Sequence, residues 1–199
     1  MSSSNDNPFV IISGYTLNTE YEKSIRRLEK SLQKFSLPYR FYPYENQGSW
    51  TKNTMVKSSL VLRALKEFST DVIWLDADAV VQSKPQFFYD LRTKEFDICC
   101  HFLKSRRNPR ELLTGTFYFR NNEIVHSLVE DWAMKNDVVN WDQRILQSLV
   151  DNKYKDKLKI MNLPIEYIKI KPKNGTLNGK NFVIGHHQMS REQRHVLGK

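Results

Sequence analysis

The sequence contains only two cysteines, and these are the neighbours Cys99 and Cys100. Neighbouring cysteines rarely form a disulfide with each other, so a disulfide-stabilised extracellular fold is not expected. No apolar run approaches the roughly 18 residues that a membrane-spanning helix needs. The first residues also lack the basic flank and the long apolar segment of a secretory signal peptide. These absences favour a cytoplasmic protein without a membrane span.

The sequence also lacks internal repeats, low-complexity tracts and a convincing linker. Its 199 residues are enough for one domain with a real core, and its hydrophobic content of 40% is ordinary for a globular protein. We therefore predict one domain over residues 1–199, with its core at about 9–195. Such a domain would be a monomer or part of a longer multidomain chain.

Acidic residues are in the minority, because 22 aspartates and glutamates face 31 lysines and arginines, which gives a net charge of +9. A basic surface suits a polyanionic partner, which could be nucleic acid, anionic lipid or a small molecule that carries phosphate. The basic residues are scattered, however, and no predicted helix carries a basic stripe. A solvated cationic surface without such a partner is an equally good interpretation.

The first half of the sequence alternates between predicted strands and predicted helices. Short apolar and β-branched runs predict strands at residues 9–13, 39–44 and 72–75. Between them, apolar residues recur at helical spacing and predict helices over residues 21–35 and 56–68. This order implies right-handed crossovers and a parallel sheet that is covered by helices.

The second half of the sequence is more mixed. Two further strands are predicted at residues 96–102 and 114–120, and helical faces begin at Ile124 and Trp141. Three short apolar runs follow, at residues 158–163, 167–170 and 182–185. We predict an α/β fold with a mixed, mostly parallel central sheet flanked by helices.

Two aspartates, Asp76 and Asp78, stand directly after the apolar strand in the segment VIWLDADAV. Two like charges this close repel each other, and an unpaired carboxylate is costly at the edge of a core. They could simply be turn formers that end the strand. Alternatively, a divalent cation held by their oxygens would remove the repulsion and the desolvation cost together. Because ligands bind beyond the carboxyl ends of parallel strands, we expect Gly14 and the aspartates to face one cleft.

Several stretches together resemble one enzyme family, and they occur in the order that this family uses. These are FVIISGY, a helix that carries Lys57, VIWLDADAVV, LLTGTFYFRNN, NWDQRILQ and FVIGHHQ. The sequence resembles the metal-dependent nucleotide-sugar glycosyltransferases of the GT-A fold over residues 9–195. Within that family it is similar to the viral branch that glycosylates a capsid protein. The resemblance implies transfer of a hexosyl or deoxyhexosyl unit from a UDP-sugar to a glycan or glycoprotein, and no nucleic-acid partner.

The resemblance also implies a metal site. Asp78 would be the firmest ligand, and Asp76 would bind the metal, the ribose of the donor, or both. One of His186 and His187 would be a further ligand, although a histidine after an apolar run is more often structural. The implied ion is Mn²⁺, and carboxylates would also accept Mg²⁺.

The remaining donor contacts follow from the same resemblance. Three residues would line the uridine site: Ser13, Gly14, where a glycine permits close approach, and Tyr15, which is equally plausible as a core aromatic. Lys57 and Arg191 would reach the diphosphate, with Arg194 beside them, while a solvated Lys57 is the plain alternative. Ala77 would lie between the metal-binding aspartates, and Thr114 and Gly115 would pass under the donor sugar.

Asp142 and Gln143 are the implied catalytic pair beside Asp78. Asp142 would hydrogen-bond sugar hydroxyls, as the Asp-Gln pair of several retaining transferases does, which favours retention of anomeric configuration. The alternative is that Asp142 only caps a helix.

Two other classes remain as alternatives. A metal-dependent nuclease or nucleotidyltransferase also uses aspartates, but two-metal sites usually need further carboxylates, and none is obvious near Asp78. A non-enzymatic nucleic-acid-binding domain would explain the basic charge, but it would leave the aspartates at the edge of the core unexplained.

Overall fold

The computed structural model describes residues 7–104, 109–135, 141–172, 177 and 181–189. The strands in these ranges are β1 (Phe9–Thr16), β2 (Tyr39–Tyr44), β3 (Asp71–Leu75), β4 (Ala79–Val81), β5 (Ile98–Leu103), β6 (Glu111–Phe119), β7 (Ile160–Asn162), β8 (Lys169–Ile170) and β9 (Ile184–His186). The helices are α1 (Tyr21–Lys34), α2 (Trp50–Glu67), α3 (Gln86–Asp90), α4 (Glu123–Met134) and α5 (Asp142–Ser148). None of these helices is long and apolar enough to cross a membrane.

The central sheet has six strands in the order β2-β1-β3-β6-β5-β7. Strand β1 is parallel to β2 and β3, and β5 is parallel to β7, whereas β6 is antiparallel to both β3 and β5. The predicted mixed, mostly parallel α/β fold is confirmed. Strand β6 reverses direction because only seven residues join it to β5, too few for the crossover that a parallel pair needs.

Helices cover both faces of this sheet, and the side chains of β1 alternate between them. Ile12 is fully buried in the core that α2, α4 and α5 cover, together with Val61 and Trp132. Ile11 is fully buried on the other face, together with Leu28 of α1. A buried leucine or isoleucine contributes roughly 1.5–3 kcal/mol, so these two cores hold the strand ends rigidly.

A second, smaller sheet has the order β4-β9-β8 and brings the end of the described chain to the aspartate segment. In this sheet β4 pairs antiparallel with β9, and Ala79 lies opposite His186. The backbone N–H of His187 also donates to the carbonyl of Asp78 at 3.1 Å. His186, more than a hundred positions away in sequence, is thereby fixed beside Asp76 and Asp78.

Strand β1 is longer than the sequence predicts. The prediction ends the strand at Ser13 with a turn at Gly14, but the strand continues to Thr16, and Gly14 pairs with Tyr42. A Cβ atom at Gly14 would lie 2.4 Å from Cδ1 of Leu60. The glycine therefore makes room for Leu60 of α2 against the sheet and does not form a turn.

Candidate active site

A cavity of about 440 Å³ opens beyond the carboxyl ends of β1 and β3, between the N-terminal halves of α2 and α5 and the strand β6. Its volume lies in the range of small-molecule sites. Most of the residues that the sequence singles out line this one cavity: Gly14, Tyr15, Lys57, Asp76, Ala77, Asp78, Thr114, Gly115, Asp142, Gln143 and His186. Gly14 and the aspartate pair face the same cleft, as the strand order leads one to expect.

Asp76 is compensated by groups of the protein itself. Its Oδ1 accepts a hydrogen bond from Nε1 of Trp74 at 2.8 Å and forms an ion pair with Nζ of Lys57 at 2.9 Å. Its Oδ2 faces Gly115, at 3.4 Å from where a Cβ atom of that residue would lie. One carboxylate oxygen is therefore engaged by a tryptophan and a lysine, and the other points to the histidine side of the cavity.

Asp78 is buried and is held on both of its oxygens. The backbone N–H of Met189 donates to Oδ2 at 2.8 Å, and Nδ1 of His186 lies 3.7 Å from Oδ1. Burial alone would raise the pKa of Asp78, but the neighbouring imidazole of His186, together with the N–H of Met189, outweighs burial and lowers this pKa. The folded protein therefore favours the ionised carboxylate, which is the form that binds a cation.

His186 lies with the aspartates, and His187 does not. Ligand atoms of Asp76, Asp78 and His186 all lie within 4.8 Å of one another. The Nε2 atom of His186 is 2.9 Å from the hydroxyl of Thr116, which leaves Nδ1 on the aspartate side. His187 is only partly buried, and burial followed by the charge of Arg27 lowers its pKa.

This group of side chains fits a divalent cation. Carboxylate oxygens suit Mg²⁺ and Mn²⁺, and an imidazole nitrogen shifts the preference towards a transition metal. The hydroxyl of Thr116 can fix the tautomer and orientation of the imidazole, as partners of metal-binding histidines commonly do. Gly115 leaves the necessary space, because a Cβ atom there would lie 3.1 Å from Cε1 of His186. In the described part of the chain, this is the group that could hold a metal.

Replacing Gly115 by alanine is expected to weaken Mn²⁺ binding by roughly tenfold, because the new methyl group presses on His186 and Asp76. Calorimetric titration of the purified variant with Mn²⁺ measures this change. The melting temperature without metal serves as the control, since a general packing defect would lower it. Unchanged Mn²⁺ affinity in a folded Gly115→Ala variant would show that Gly115 is not needed for metal binding.

Lys57 links the two halves of the cavity. Its Nζ lies 2.9 Å from Asp76, 3.1 Å from Asp142 and 3.2 Å from the hydroxyl of Thr114, and it stands 5.2 Å from the centre of the Trp74 ring. Burial would lower the pKa of this ammonium, but the charges of Asp142 and then Asp76 outweigh burial and raise it. The interpretation of Lys57 as a solvated surface lysine is wrong, because its side chain is 10% exposed.

Asp142 does not act as the cap of α5. The N-cap residue is Trp141, and Asp142 is the first helical residue, with its carboxylate paired to Lys57 inside the cavity. Nε1 of Trp132 donates to the backbone carbonyl of Asp142 at 2.9 Å and fixes the start of the helix. The adjacent Gln143 also lines the cavity, and its Nε2 donates to Glu111 at 3.2 Å.

One of the predicted donor contacts, Ser13, does not line the cavity. Ser13 shares the strand face of Ile11 and is completely buried in the core under α1, so its side chain lies behind the cavity, and its hydroxyl has no hydrogen-bond partner. Thr16, three residues further along β1, lines the cavity instead. Arg191 and Arg194 lie outside the described residues.

Several residues of the site are missed by the sequence interpretation. Trp74 and Thr116 hold Asp76 and His186, two members of the possible metal group, while Trp50 and Trp141 line the opposite part of the cavity. Trp74 could have been found from its spacing, because residues two apart on a strand share a face and Trp74 precedes Asp76 by two. Nothing in the local sequence pairs Trp50 with Trp141.

Comparison with known proteins identifies the family. The sequence profile of nucleotide-diphospho-sugar transferases matches residues 16–196. No curated protein sequence matches the chain. Solved structures of the same fold do match, at sequence identities that show the fold alone.

One similar structure is a glycosyltransferase involved in the glycosylation of the major capsid of PBCV-1, with 13% identity over 96% of this chain and 98% of that chain, and a TM-score of 0.69. Another is the bifunctional glycosyltransferase WbbM, with 12% identity and a TM-score of 0.63, where the match covers 94% of this chain but 47% of WbbM. A third is the galactosyltransferase LgtC in complex with donor and acceptor sugar analogs, with 11% identity over 90% of this chain and 87% of that chain, and a TM-score of 0.53.

These neighbours have the GT-A fold that the sequence resemblance implied. One of them is involved in the glycosylation of the major capsid of PBCV-1. The cavity beyond the strand ends lies where a sheet of this kind binds its ligand. Because the family profile spans most of the chain, the protein belongs to the nucleotide-diphospho-sugar transferases and is a glycosyltransferase.

Proposed function

We propose that the protein transfers a hexosyl or deoxyhexosyl unit from a UDP-sugar to a glycan or glycoprotein acceptor, and that it depends on Mn²⁺, with Mg²⁺ as a weaker substitute. The single observation that carries this proposal is the group of Asp76, Asp78 and His186 at the floor of the cavity. Three anionic or neutral ligand atoms within 4.8 Å of one another suit one divalent ion. A nucleoside diphosphate is the ligand that such an ion recruits.

The ligand atoms on the cavity side would be Oδ2 of Asp76, Oδ1 of Asp78 and Nδ1 of His186. When bound, a divalent cation would supply positive charge to the departing diphosphate, an effect worth several kcal/mol. Thr116 keeps the imidazole oriented, and Met189 keeps Asp78 ionised. The folded chain therefore favours Asp78 as the ionised carboxylate that metal binding requires.

Lys57 would stand between the diphosphate and the donor sugar. It contacts Asp76 on the metal side and Asp142 on the other side, and its buried ammonium is permanently charged near neutral pH. Such a fixed charge stabilises the negative charge that develops on the leaving diphosphate without any reorganisation of solvent.

Asp142 and Gln143 would hold the hydroxyl groups of the donor sugar. The carboxylate of Asp142 is already engaged by Lys57 at 3.1 Å, so it is better suited to accept hydrogen bonds from the sugar than to remove the acceptor proton. We propose retention of anomeric configuration for this reason. In that case the acceptor proton passes to the departing diphosphate oxygen.

The uridine would lie at the end of β1, where Gly14, Tyr15 and Thr16 line the cavity beside Tyr44. This end is fixed by the parallel pairing of Gly14 with Tyr42 and of Thr16 with Tyr44. The base would therefore contact a rigid strand edge, while the diphosphate and the sugar extend towards α5.

The nuclease alternative finds less support. A two-metal site would need additional carboxylates around the first pair, and among the described residues the possible metal group holds only Asp76, Asp78 and one histidine. The basic charge of the chain is equally consistent with a phosphate-bearing donor.

Release of UDP from a panel of UDP-sugars, with and without Mn²⁺, tests the proposal directly. We expect at least one UDP-sugar to be turned over slowly by water in the presence of Mn²⁺, and EDTA to stop this reaction. GDP-sugars and CMP-sugars form the control panel. Turnover of those donors in preference to UDP-sugars would contradict the donor assignment.

Replacing Asp142 by asparagine is expected to lower sugar transfer by about a hundredfold, because the charge that faces Lys57 and the sugar hydroxyls is lost. UDP affinity should change by less than about threefold, since UDP carries no sugar. Steady-state transfer rates and UDP titrations measure the two effects. Near-normal transfer by Asp142→Asn, or an equal loss of UDP affinity, would contradict the assignment of this residue to the donor sugar.

A further inference from the structure

Two tryptophans line the cavity at the starts of two different helices. Trp50 is the first residue of α2, Trp141 is the N-cap of α5, and their ring centres lie 6.3 Å apart at 59°. Both side chains are partly exposed. The other two tryptophans differ in burial, because Trp74 and Trp132 lie in the core, where their N–H groups donate to Asp76 and Asp142. Trp50 and Trp141, called here the tryptophan pair, are therefore not explained by the core.

The tryptophan pair lies on the sugar side of the cavity. Trp141 directly precedes Asp142, the residue proposed to hold the donor sugar. Trp50 lies seven residues before Lys57 on α2, which corresponds to about 10 Å along the helix axis. Because Lys57 contacts Asp76, the metal group lies at the other end of this separation, and one donor sugar would fit between that group and the tryptophan pair. The acceptor would therefore bind at the tryptophan pair, beyond the donor sugar.

Polar groups that suit a carbohydrate surround the tryptophan pair. The guanidinium of Arg144 lies 3.9 Å from the centre of the Trp141 ring, and Gln143 donates to Glu111 at 3.2 Å at the cavity wall. An indole ring offers a broad apolar surface, whereas carboxylate, amide and guanidinium groups bind hydroxyls. A pyranose ring needs both, because it has an apolar face of C–H groups and a rim of hydroxyls. A serine or threonine acceptor, by contrast, has no ring that could stack on an indole.

We propose that Trp50 and Trp141 bind the terminal pyranose ring of a glycan, so that the acceptor is a sugar hydroxyl and not an amino-acid side chain. This inference rests on the proposed transfer from a nucleotide-sugar. In the reaction, the bond between the anomeric carbon and the diphosphate oxygen breaks and its electron pair leaves with UDP. A hydroxyl of the bound pyranose forms the new bond to that carbon, and its proton passes to the departing diphosphate.

The test compares acceptors and tryptophan variants in one assay. The acceptors are methyl α- and β-pyranosides of hexoses, deoxyhexoses, pentoses and N-acetylhexosamines, with serine- and threonine-containing peptides as the competing class. We expect mass spectrometry to find one sugar added to a methyl pyranoside. Trp50→Leu and Trp141→Leu should lower kcat/KM for this acceptor by roughly tenfold or more, the size of one lost stacking contact. The same variants should lower kcat/KM for donor hydrolysis far less.

Two further variants sharpen the result. Trp50→Phe keeps an aromatic face and should recover most of the acceptor affinity, and Trp50→Leu alone carries the test if Trp141→Leu fails to fold. Phe35→Leu is the matched control, because Phe35 is a partly buried aromatic at a helix end beside a cation, outside the cavity. Phe35→Leu should change neither kcat/KM for the pyranoside acceptor nor kcat/KM for donor hydrolysis.

The outcomes separate the two proposals. Donor hydrolysis without transfer to any pyranoside, or transfer to peptides alone, would overturn the glycan-acceptor inference and leave the donor assignment standing. Equal losses of donor hydrolysis and transfer in the tryptophan variants would also overturn it, since the tryptophan pair would then act on the donor. Absence of metal-dependent turnover with every nucleotide-sugar would remove the proposed function and the inference with it.

Discussion

Replacing Asp78 by asparagine is expected to lower metal-dependent sugar transfer by about a thousandfold, which corresponds to about 4 kcal/mol of transition-state stabilisation. Asp78 is the buried member of the metal group, and the protein holds it ionised through His186 and the N–H of Met189. An asparagine keeps the shape but loses the charge that a divalent ion needs. Transfer rates at saturating Mn²⁺ measure the effect.

The same variant should be slightly less stable without metal. The lowered pKa of Asp78 means that its folded surroundings favour the carboxylate, so the neutral asparagine loses a stabilising interaction. A lowered folded pKa adds stability at pH values above the unfolded pKa, and this stability is lost as the pH falls through the folded pKa. The stability difference between wild type and Asp78→Asn should therefore shrink below about pH 4.

Asp90→Asn is the matched control for Asp78→Asn, because Asp90 lies outside the cavity and its carboxylate makes an exposed hydrogen bond to Gln86. It should leave both transfer and stability unchanged. If Asp78→Asn transferred sugar within about tenfold of the wild-type rate, the aspartate pair would be scaffolding and not a metal site.

Replacing Lys57 by methionine is expected to destabilise the metal-free protein by about 3–5 kcal/mol. Methionine fills similar space but leaves Asp142, which is 4% exposed, without its cation. It also removes the ion pair with Asp76. Urea denaturation of the variant and the wild type measures the difference. The proposed transfer should be lost as well, since Lys57 stands between the metal group and Asp142.

Metal should partly rescue Lys57→Met. Without the lysine, Asp76 loses its cation and the metal group carries more uncompensated negative charge, so saturating Mn²⁺ should raise the melting temperature of the variant more than that of the wild type. Lys66→Met is the matched control, because it removes an exposed ion pair with Glu130 at 3.0 Å and should cost less than about 1 kcal/mol. Equally mild effects of the two substitutions would contradict the bridging role of Lys57.

The sequence predicts the strands and helices well wherever one periodicity dominates. Helix α1 follows from its apolar stripe, and β3 follows from an unbroken apolar run before Asp76. The direction of β6 could not be derived from its own residues, because it depends on the short connection from β5 and on where β6 pairs. The length of β1 was underestimated because Gly14 is a typical turn residue, whereas here it makes room for Leu60.

The candidate site was only partly predictable. The position of Asp76 and Asp78 at the edge of the core already indicates a charged ligand or partner, but the sequence does not reveal that Lys57 and Trp74 supply part of the compensation. The contact between Lys57 and Asp142 joins residues 85 positions apart and exists only in the folded chain. The choice between His186 and His187 likewise depends on the pairing of β9 with β4.

Isothermal titration of the protein with UDP, in Mn²⁺ and again in EDTA, tests the metal-dependent nucleotide site most directly. The aspartates, His186 and Lys57 line one cavity, so bound metal should create most of the affinity for the diphosphate. We expect clear binding of UDP in Mn²⁺ and a loss of affinity of at least about a hundredfold in EDTA. Equal UDP affinity in Mn²⁺ and in EDTA would contradict a metal-bridged diphosphate at Asp76 and Asp78.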